Sequence, residues 1–318
     1  MSVAVVLGAS RGLGLLCAQQ LLARGYRVVI SSRSQARCDR ARDHLIGRGA
    51  SPDAVLAWEC DVRDASAVAA HLDRVERDVG PIDLGLHVAG VIQVGPWSSW
   101  EREQFADAID TMLWGPIHFA LPLARRMTAR GRGRIGIVSS VGGLVSAPHL
   151  LPYSTAKFGA IGFSQGLASE LAGTGVTLTT VAPGLMRVGS HLAAEFAGDR
   201  DAEYAWFAAG ASAPLLAIDA DTAARRIVDG VERGRTFVTF TPLAQLGARV
   251  NGLAPGLTTR VLGVVARLLP RASEQQLAAT GTTSGARVEA GLSRRRRSVL
   301  RGLTALGERA ARRNLERD

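Results

Sequence analysis

Val3-Ala-Val-Val-Leu7-Gly8-Ala-Ser10-Arg11-Gly12-Leu13-Gly14 opens with five apolar residues and closes in a glycine-rich turn. The apolar run reads as a strand, and the amphipathic stretch that follows to about Arg24 reads as a helix. Strand, glycine turn and helix in that order form a nucleotide-binding context, here with the spacing G-x-x-x-G-x-G. Glycines let the backbone approach a pyrophosphate, and a helix N-terminus adds free N–H groups with a partial positive charge. The next apolar strand, Arg27 to Ser31, ends in Ser32-Arg33 with no acid at its tip. A carboxylate there would hold the ribose 2′-OH of NAD, whereas arginine accommodates the 2′-phosphate of NADP. With Arg11 as a second cation, the pattern favours NADP(H) over NAD(H). Asp61, after the strand 54–60, suits either an adenine contact or a helix cap.

A second centre lies at Tyr153-Ser-Thr-Ala-Lys157, which holds the chain's only lysine; every other long-chain base is arginine. Lysine carries a compact ammonium whose pKa can be moved, while guanidinium is permanently charged. Tyr153 and Lys157 are four apart, and Pro152 suits a first helical turn, so both side chains share one helical face. Ser140 ends the apolar strand Arg134 to Ser140, at the strand end where open α/β sheets bind ligands. A phenol with a pKa of about 10 needs a nearby cation to work at neutral pH, and Lys157 is expected to supply it. Ser140 then meets a substrate oxygen whose charge changes, as in interconversion of a carbonyl and an alcohol.

With these stretches together, residues 1 to about 240 resemble the short-chain dehydrogenase/reductase family. The likeness rests on Gly8 to Gly14, Cys60-Asp61-Val62, His87-Val-Ala89-Gly90, Ser140 with Tyr153 and Lys157, and Pro183-Gly184. The resemblance implies Tyr153 as general acid-base, Lys157 on the nicotinamide ribose and Ser140 on the substrate oxygen. It also implies Asp61 and Val62 beside the adenine, Ala89 and Gly90 behind the cofactor, and pairing into homo-oligomers through the helices containing Met112 and Tyr153. Departures accompany the matches. His87 and Leu7 replace a usual Asn and Thr, Val188 replaces a Thr, and Met112 stands where the family places a catalytic Asn in a proton path. A thioether is at best a weak acceptor.

Alternating strands and helices argue for a doubly wound parallel sheet, Rossmann-like, of about seven strands with helices on both faces, ending at Thr236 to Phe240. A substrate loop is expected at about 184–213, and Trp97, Trp100, Trp114, Trp206 and Phe207 are candidates to line an apolar pocket. Residues 241–279 read as an amphipathic helical extension, a cover over the substrate mouth in preference to a membrane-surface helix. Residues 280–318 read as a polar linker and basic tail, helical or disordered. Ten arginines and four acids follow Gly285, a net +6 of the chain's +10. No nucleic-acid module accompanies that charge, so no nucleic-acid partner is expected. Cys17, Cys38 and Cys60 show neither metal spacing nor a disulfide framework, and Met1 leads straight into a strand; both point to the cytoplasm.

Overall fold

In the computed structural model the run Val3–Leu7 forms β1, and all five side chains are buried. Alternation along the strand sends Val3, Val5 and Leu7 into one core and Ala4 and Val6 into the other. Burial on both faces is what a parallel sheet between helical layers demands. The chain continues through α1 (Gly12–Ala23), β2 (Arg27–Ser32), α2 (Gln35–Gly47), β3 (Val55–Glu59), α3 (Ala65–Asp78), β4 (Ile82–His87) and a short β5 (Gln93–Val94). Next come α4 (Arg102–Ile109), α5 (Gly115–Ala129), β6 (Gly133–Val138), α6 (Leu151–Glu170) and β7 (Val176–Val181). Then follow β8 (Met186–Arg187), β9 (Glu195–Phe196), α7 (Arg200–Ser212), β10 (Ile218–Asp219), α8 (Ala220–Glu232) and β11 (Phe237–Val238). The structure describes residues 1–213, 217–278 and 281–317. Ala279 and Thr280, at the expected junction of extension and linker, and Asp318 at the end of the tail lie outside them.

Seven strands pair in the order β11-β7-β6-β4-β1-β2-β3, all parallel, as the alternating pattern predicts. Leu7 registers with Ser31 on one side and His87 on the other, so the strand order reverses across β1 and opens a crevice at these carboxyl ends. Leu15, Leu21, Leu45, Ile227 and Val231 of α1, α2 and α8 fill one face; Leu72, Val75, Phe119 and Leu123 of α3 and α5 fill the other. Each such side chain contributes about 1.5–3 kcal/mol by leaving water. The three cysteines are free and buried, and burial pushes Cys17 and Cys60 up to about 12, which keeps them as inert thiols.

The expected helix containing Met112 is interrupted. Asp110–Trp114 form a π turn between α4 and α5, and Pro116 has no N–H to give the carbonyl four residues back, that of Met112.

Beyond the sheet, α9 (Pro242–Leu253) and α10 (Pro255–Ala266) form a hairpin, followed by α11 (Glu274–Ala278), β12 (Thr283–Ser284), α12 (Gly285–Gly291) and α13 (Arg294–Arg313). Most of the described residues in the expected polar linker and tail are therefore helical. β12 pairs antiparallel with β9, and Val288, Leu292 and Leu300 bury against Phe196, Tyr204 and Phe207. Arg313 of the tail lies 2.6 Å from Asp221 of the fold, while Arg317 pairs within the tail, 2.9 Å from Glu308 and also with Glu289. Apolar anchors spaced among arginines hide from a composition count but suffice to dock a helix.

Candidate active site

The turn after β1 is shaped by backbone. Gly8 and Ala9 donate to the Ser31 carbonyl at 2.8 and 3.1 Å, and Val88 and Ala89 donate to the Leu7 carbonyl at 2.9 and 3.1 Å. A Cβ on Gly8 would collide with the Ala89 backbone, and one on Gly14 with the Gly8 carbonyl. Gly8 and Gly12 also hold φ of +86° and +56°, where L side chains are strained. No side chain caps the N-terminus of α1, and its Gly12 amide donates to the Asn314 carbonyl at 2.7 Å. Donors without side-chain caps and a cradle that side chains would fill both fit a dinucleotide's phosphates.

Around this cradle the expected residues are placed unequally. Ser10, Arg11 and Leu13 belong to the turn and the start of α1, and Ala89 and Gly90 follow β4 directly. Arg33 is exposed past the end of β2. Asp61 is clamped by Arg63 through contacts of 2.7 and 3.1 Å, and that bond, with help from Arg33, holds its carboxyl below the usual range. Val62 beside it is buried. Pro183 and Gly184 follow β7, with the Pro183 carbonyl accepting from Val141 at 2.8 Å. These links tie the ends of β2, β1 and β4 together and, separately, those of β6 and β7.

Ser140, Tyr153 and Lys157 do converge. Ser140 follows β6, and its hydroxyl accepts from the Gly142 amide at 3.0 Å and hydrogen-bonds Tyr153. Lys157 Nζ donates to the Val138 carbonyl at 2.9 Å and lies 5.7 Å from the centroid of the Tyr153 ring. The neighbouring Ser139 hydroxyl donates to the Lys157 carbonyl at 2.9 Å, fixing α6 on β6. Gly142 and Gly143 make the approach possible: a Cβ on Gly142 would stand 3.0 Å from Tyr153, and one on Gly143 would press into the Lys157 carbonyl. Sequence reading passed over this glycine pair, although its position directly after Ser140 was the available signal.

Electrostatics depart from expectation. Burial brings the Lys157 ammonium down to about 8. Burial also raises the Tyr153 phenol, and the opposing influence is the Ser140 hydrogen bond, where Lys157 had been expected to lower it. Met112 is 1% exposed and packs with Ala108 and Ala156, and its Sδ shares with Lys157 Nζ the space facing Gly90. His87 is buried with both ring nitrogens unpartnered, and burial lowers it to about 3.

Beside the site runs a groove of about 920 Å³, bounded by Trp97, His149, Leu151, Phe158 and the α9–α10 hairpin, including Leu262 and Arg267. It adjoins the segment leading to Tyr153 and does not reach the phenol itself. His149 takes a left-handed φ of 65°, and its Nδ1 lies 2.7 Å from Glu203, whose second oxygen accepts from Trp206 at 2.7 Å. Neither residue stands out in the sequence, and Glu203 is nearly inaccessible on α7. Trp114 is exposed and stacks on His118 at 5.8 Å, and Trp206 and Phe207 join the aromatic cluster of the loop.

Comparison with known proteins places this geometry. Residues 2–198 match the model of the short chain dehydrogenase family. A putative ketoacyl reductase of the granaticin polyketide synthase from Streptomyces violaceoruber is 33% identical over 186 residues, 58% of this chain and 67% of that protein. The 3-oxoacyl-[acyl-carrier-protein] reductase FabG of Escherichia coli is 31% identical over 184 residues, 58% of this chain and 73% of its own. Among solved structures, a short-chain dehydrogenase from Streptomyces avermitilis superposes with a TM-score of 0.69 at 25% identity, covering 84% of this chain and 99% of that one. A variant of actinorhodin polyketide ketoreductase, solved with NADPH, gives 0.64 at 26% identity over 76% and 95% of the two chains. The chain belongs to the short-chain dehydrogenase family, as an NAD(P)-dependent oxidoreductase acting on CH–OH and carbonyl groups.

Proposed function

We propose that the protein interconverts a carbonyl and an alcohol on a bulky, apolar small molecule using NADP(H). The observation that carries this reading is the convergence of Ser140, Tyr153 and Lys157 beside the glycine turn. Gly8, Ser10, Gly12, Leu13 and Gly14 hold the diphosphate, and Arg11 and Arg33 answer the 2′-phosphate. Asp61 and Val62 flank the adenine, while Ala89, Gly90, Pro183 and Gly184 back the nicotinamide half. The dinucleotide supplies or accepts the hydride when bound. Tyr153 gives or takes the proton of the substrate oxygen, Ser140 holds that oxygen, and Lys157 orients the ribose. NADPH in an actinorhodin ketoreductase structure and ketoacyl reductases among the relatives support both the cofactor choice and a ketone substrate.

Fluorescence titration with NADPH and NADH, then a screen of apolar ketones with Tyr153→Phe as control, tests the reading. Tight NADPH binding with turnover lost in the Phe variant is expected. Binding without turnover on any ketone would instead make the chain a dinucleotide sensor, the reading that Met112 favours.

A second reading concerns where the enzyme works. α10 has no buried residue, Leu253 and Leu268 are 88% and 82% exposed, and Leu246, Leu257, Val261 and Val264 are exposed with them. Arg249, Arg260, Arg267 and Arg271 are the only charged residues between Pro242 and Ser273. Apolar side chains among cations suit an anionic lipid surface. No helix among the described residues is long and apolar enough to cross a membrane. Co-sedimentation with anionic vesicles is expected, and it should vanish when Leu253, Leu257 and Val261 are changed to Ser. A supernatant-only result for the unmodified chain sinks this reading.

A further inference from the structure

The glycine turn already has an occupant drawn from this chain. The Gly12 amide, at the first residue of α1, donates to the Asn314 carbonyl at 2.7 Å. Arg11 Nε lies 3.3 Å from Glu316 Oε2, and Glu316 Oε1 fills the space that a Cβ on Gly12 would need. Leu315, between them, packs against the core cluster that includes Leu13. The segment is delivered by α13, whose Ala311 sits against Gly189 and whose neighbour Arg313 pairs with Asp221. A helix-terminal amide, a cation and a glycine gap are the three features a dinucleotide phosphate would use. A carboxylate and a phosphate cannot share them, because they claim one volume and carry like charge.

We infer that residues 314–316 are a self-supplied ligand of the dinucleotide site, so that the cofactor binds only after the C-terminal segment leaves. This rests on the proposal above that the glycine turn holds the dinucleotide. The seated segment is not at ease. Asn314 is fully buried with both side-chain polar atoms unpartnered, Leu315 holds a φ of +56°, and Glu316 Oε2 makes no hydrogen bond. Burial raises the Glu316 carboxyl against the pull of Arg11. A segment held with these defects is one that a better ligand can displace.

Exclusion of this kind divides apparent affinity by the fraction of chains whose site is open, whichever dinucleotide is offered. Removing residues 314–318 should therefore tighten NADPH and NADH by the same factor, roughly tenfold if the segment is seated nine times in ten. Glu316→Gln, which keeps the shape and removes the charge, should give a smaller shift in the same direction. Hydrogen exchange of residues 310–317 in the full chain should quicken on adding NADPH. Equal dissociation constants for full and shortened chains, with the tail equally protected in both states, overturn the inference, as does weaker binding after truncation, which would make the segment part of the cofactor site. The NADP(H) reading fails separately, if NADH binds as tightly as NADPH while both tighten together. Should the shortened chain fold poorly by circular dichroism, Glu316→Gln and the exchange experiment decide alone.

Discussion

The sheet half, residues 3–181, and the chain beyond Pro242 are both rich in Val, Leu and Ala, yet they use them differently. β1 buries every side chain and α10 buries none. Between these extremes Val288, Leu292 and Leu300 reach the aromatic cluster of the substrate loop. An apolar residue stabilises a fold only where a partner surface comes within reach, so similar composition yields a core in one region and an open face in the other. Chemistry divides in the same way: the proposed catalytic groups lie just after β6 and on α6 of the sheet half, and the extension reaches only the glycine turn, through its last residues.

Tyr153→Phe gives the sharpest test of that division. Turnover should fall by ~10²–10⁴, the usual worth of a placed acid-base group, with NADPH affinity held within about twofold. Steady-state kinetics beside fluorescence titration separates the two quantities. A variant that keeps its rate would move the chemistry out of the crevice at β1, β4 and β6.

Stability should split the extension itself. Leu292→Ala removes a side chain buried against the aromatic cluster and should cost about 2–4 kcal/mol in urea unfolding. Leu257→Ser, on the exposed face of α10, should change stability by less than about 0.5 kcal/mol. Comparable losses at the two positions would erase the contrast between docked and open parts.

Acid should attack the sheet half first. Burial lowers His71 to about 4 and His87 to about 3, below the ordinary 6.5. Because the unfolded chain binds these protons more readily, the stability of the neutral rings is present above about pH 6.5 and is lost as pH falls toward the folded values. By pH 4.5 each ring costs on the order of 2–3 kcal/mol, in a window above the range where ordinary carboxylates titrate. Replacing both, as His71→Gln with His87→Asn, should flatten the unfolding free energy between pH 6.5 and 4.5. An unchanged slope would place the acid sensitivity elsewhere.

How much was legible follows the same line. β1, the glycine turn and the Ser140, Tyr153 and Lys157 positions announced themselves because period, glycine spacing and strand ends are local signals. The sheet formed by β5, β9 and β12 did not, since strands of two residues carry no period. Glu203 carries no local signal, because only the fold brings His149 and Trp206 to it. The return of Glu316 to Arg11 spans nearly the whole chain, and no local pattern encodes a pairing at that separation. Arginine-rich composition pointed the other way, toward a solvated tail, because charge is visible in sequence and the acids that answer it are scattered.

Met112 offers the smallest effect and the finest test of how the sheet half works. Its side chain lies beside Lys157 where the family resemblance implies an amide, while the π turn and Pro116 shape the backbone around it. If only the side chain is missing from a proton path, Met112→Asn should raise kcat a few-fold, roughly 0.5–1 kcal/mol of barrier, with NADPH affinity unchanged. The same change should lower stability by about 1–3 kcal/mol, because an amide among Ala108, Ala156 and Ile109 loses water without a guaranteed partner. Opposite signs for rate and stability would mark Met112 as a packing residue that holds back turnover. A fall in both would mean that Met112 belongs to the working geometry of Lys157, and that this site moves its proton without the amide.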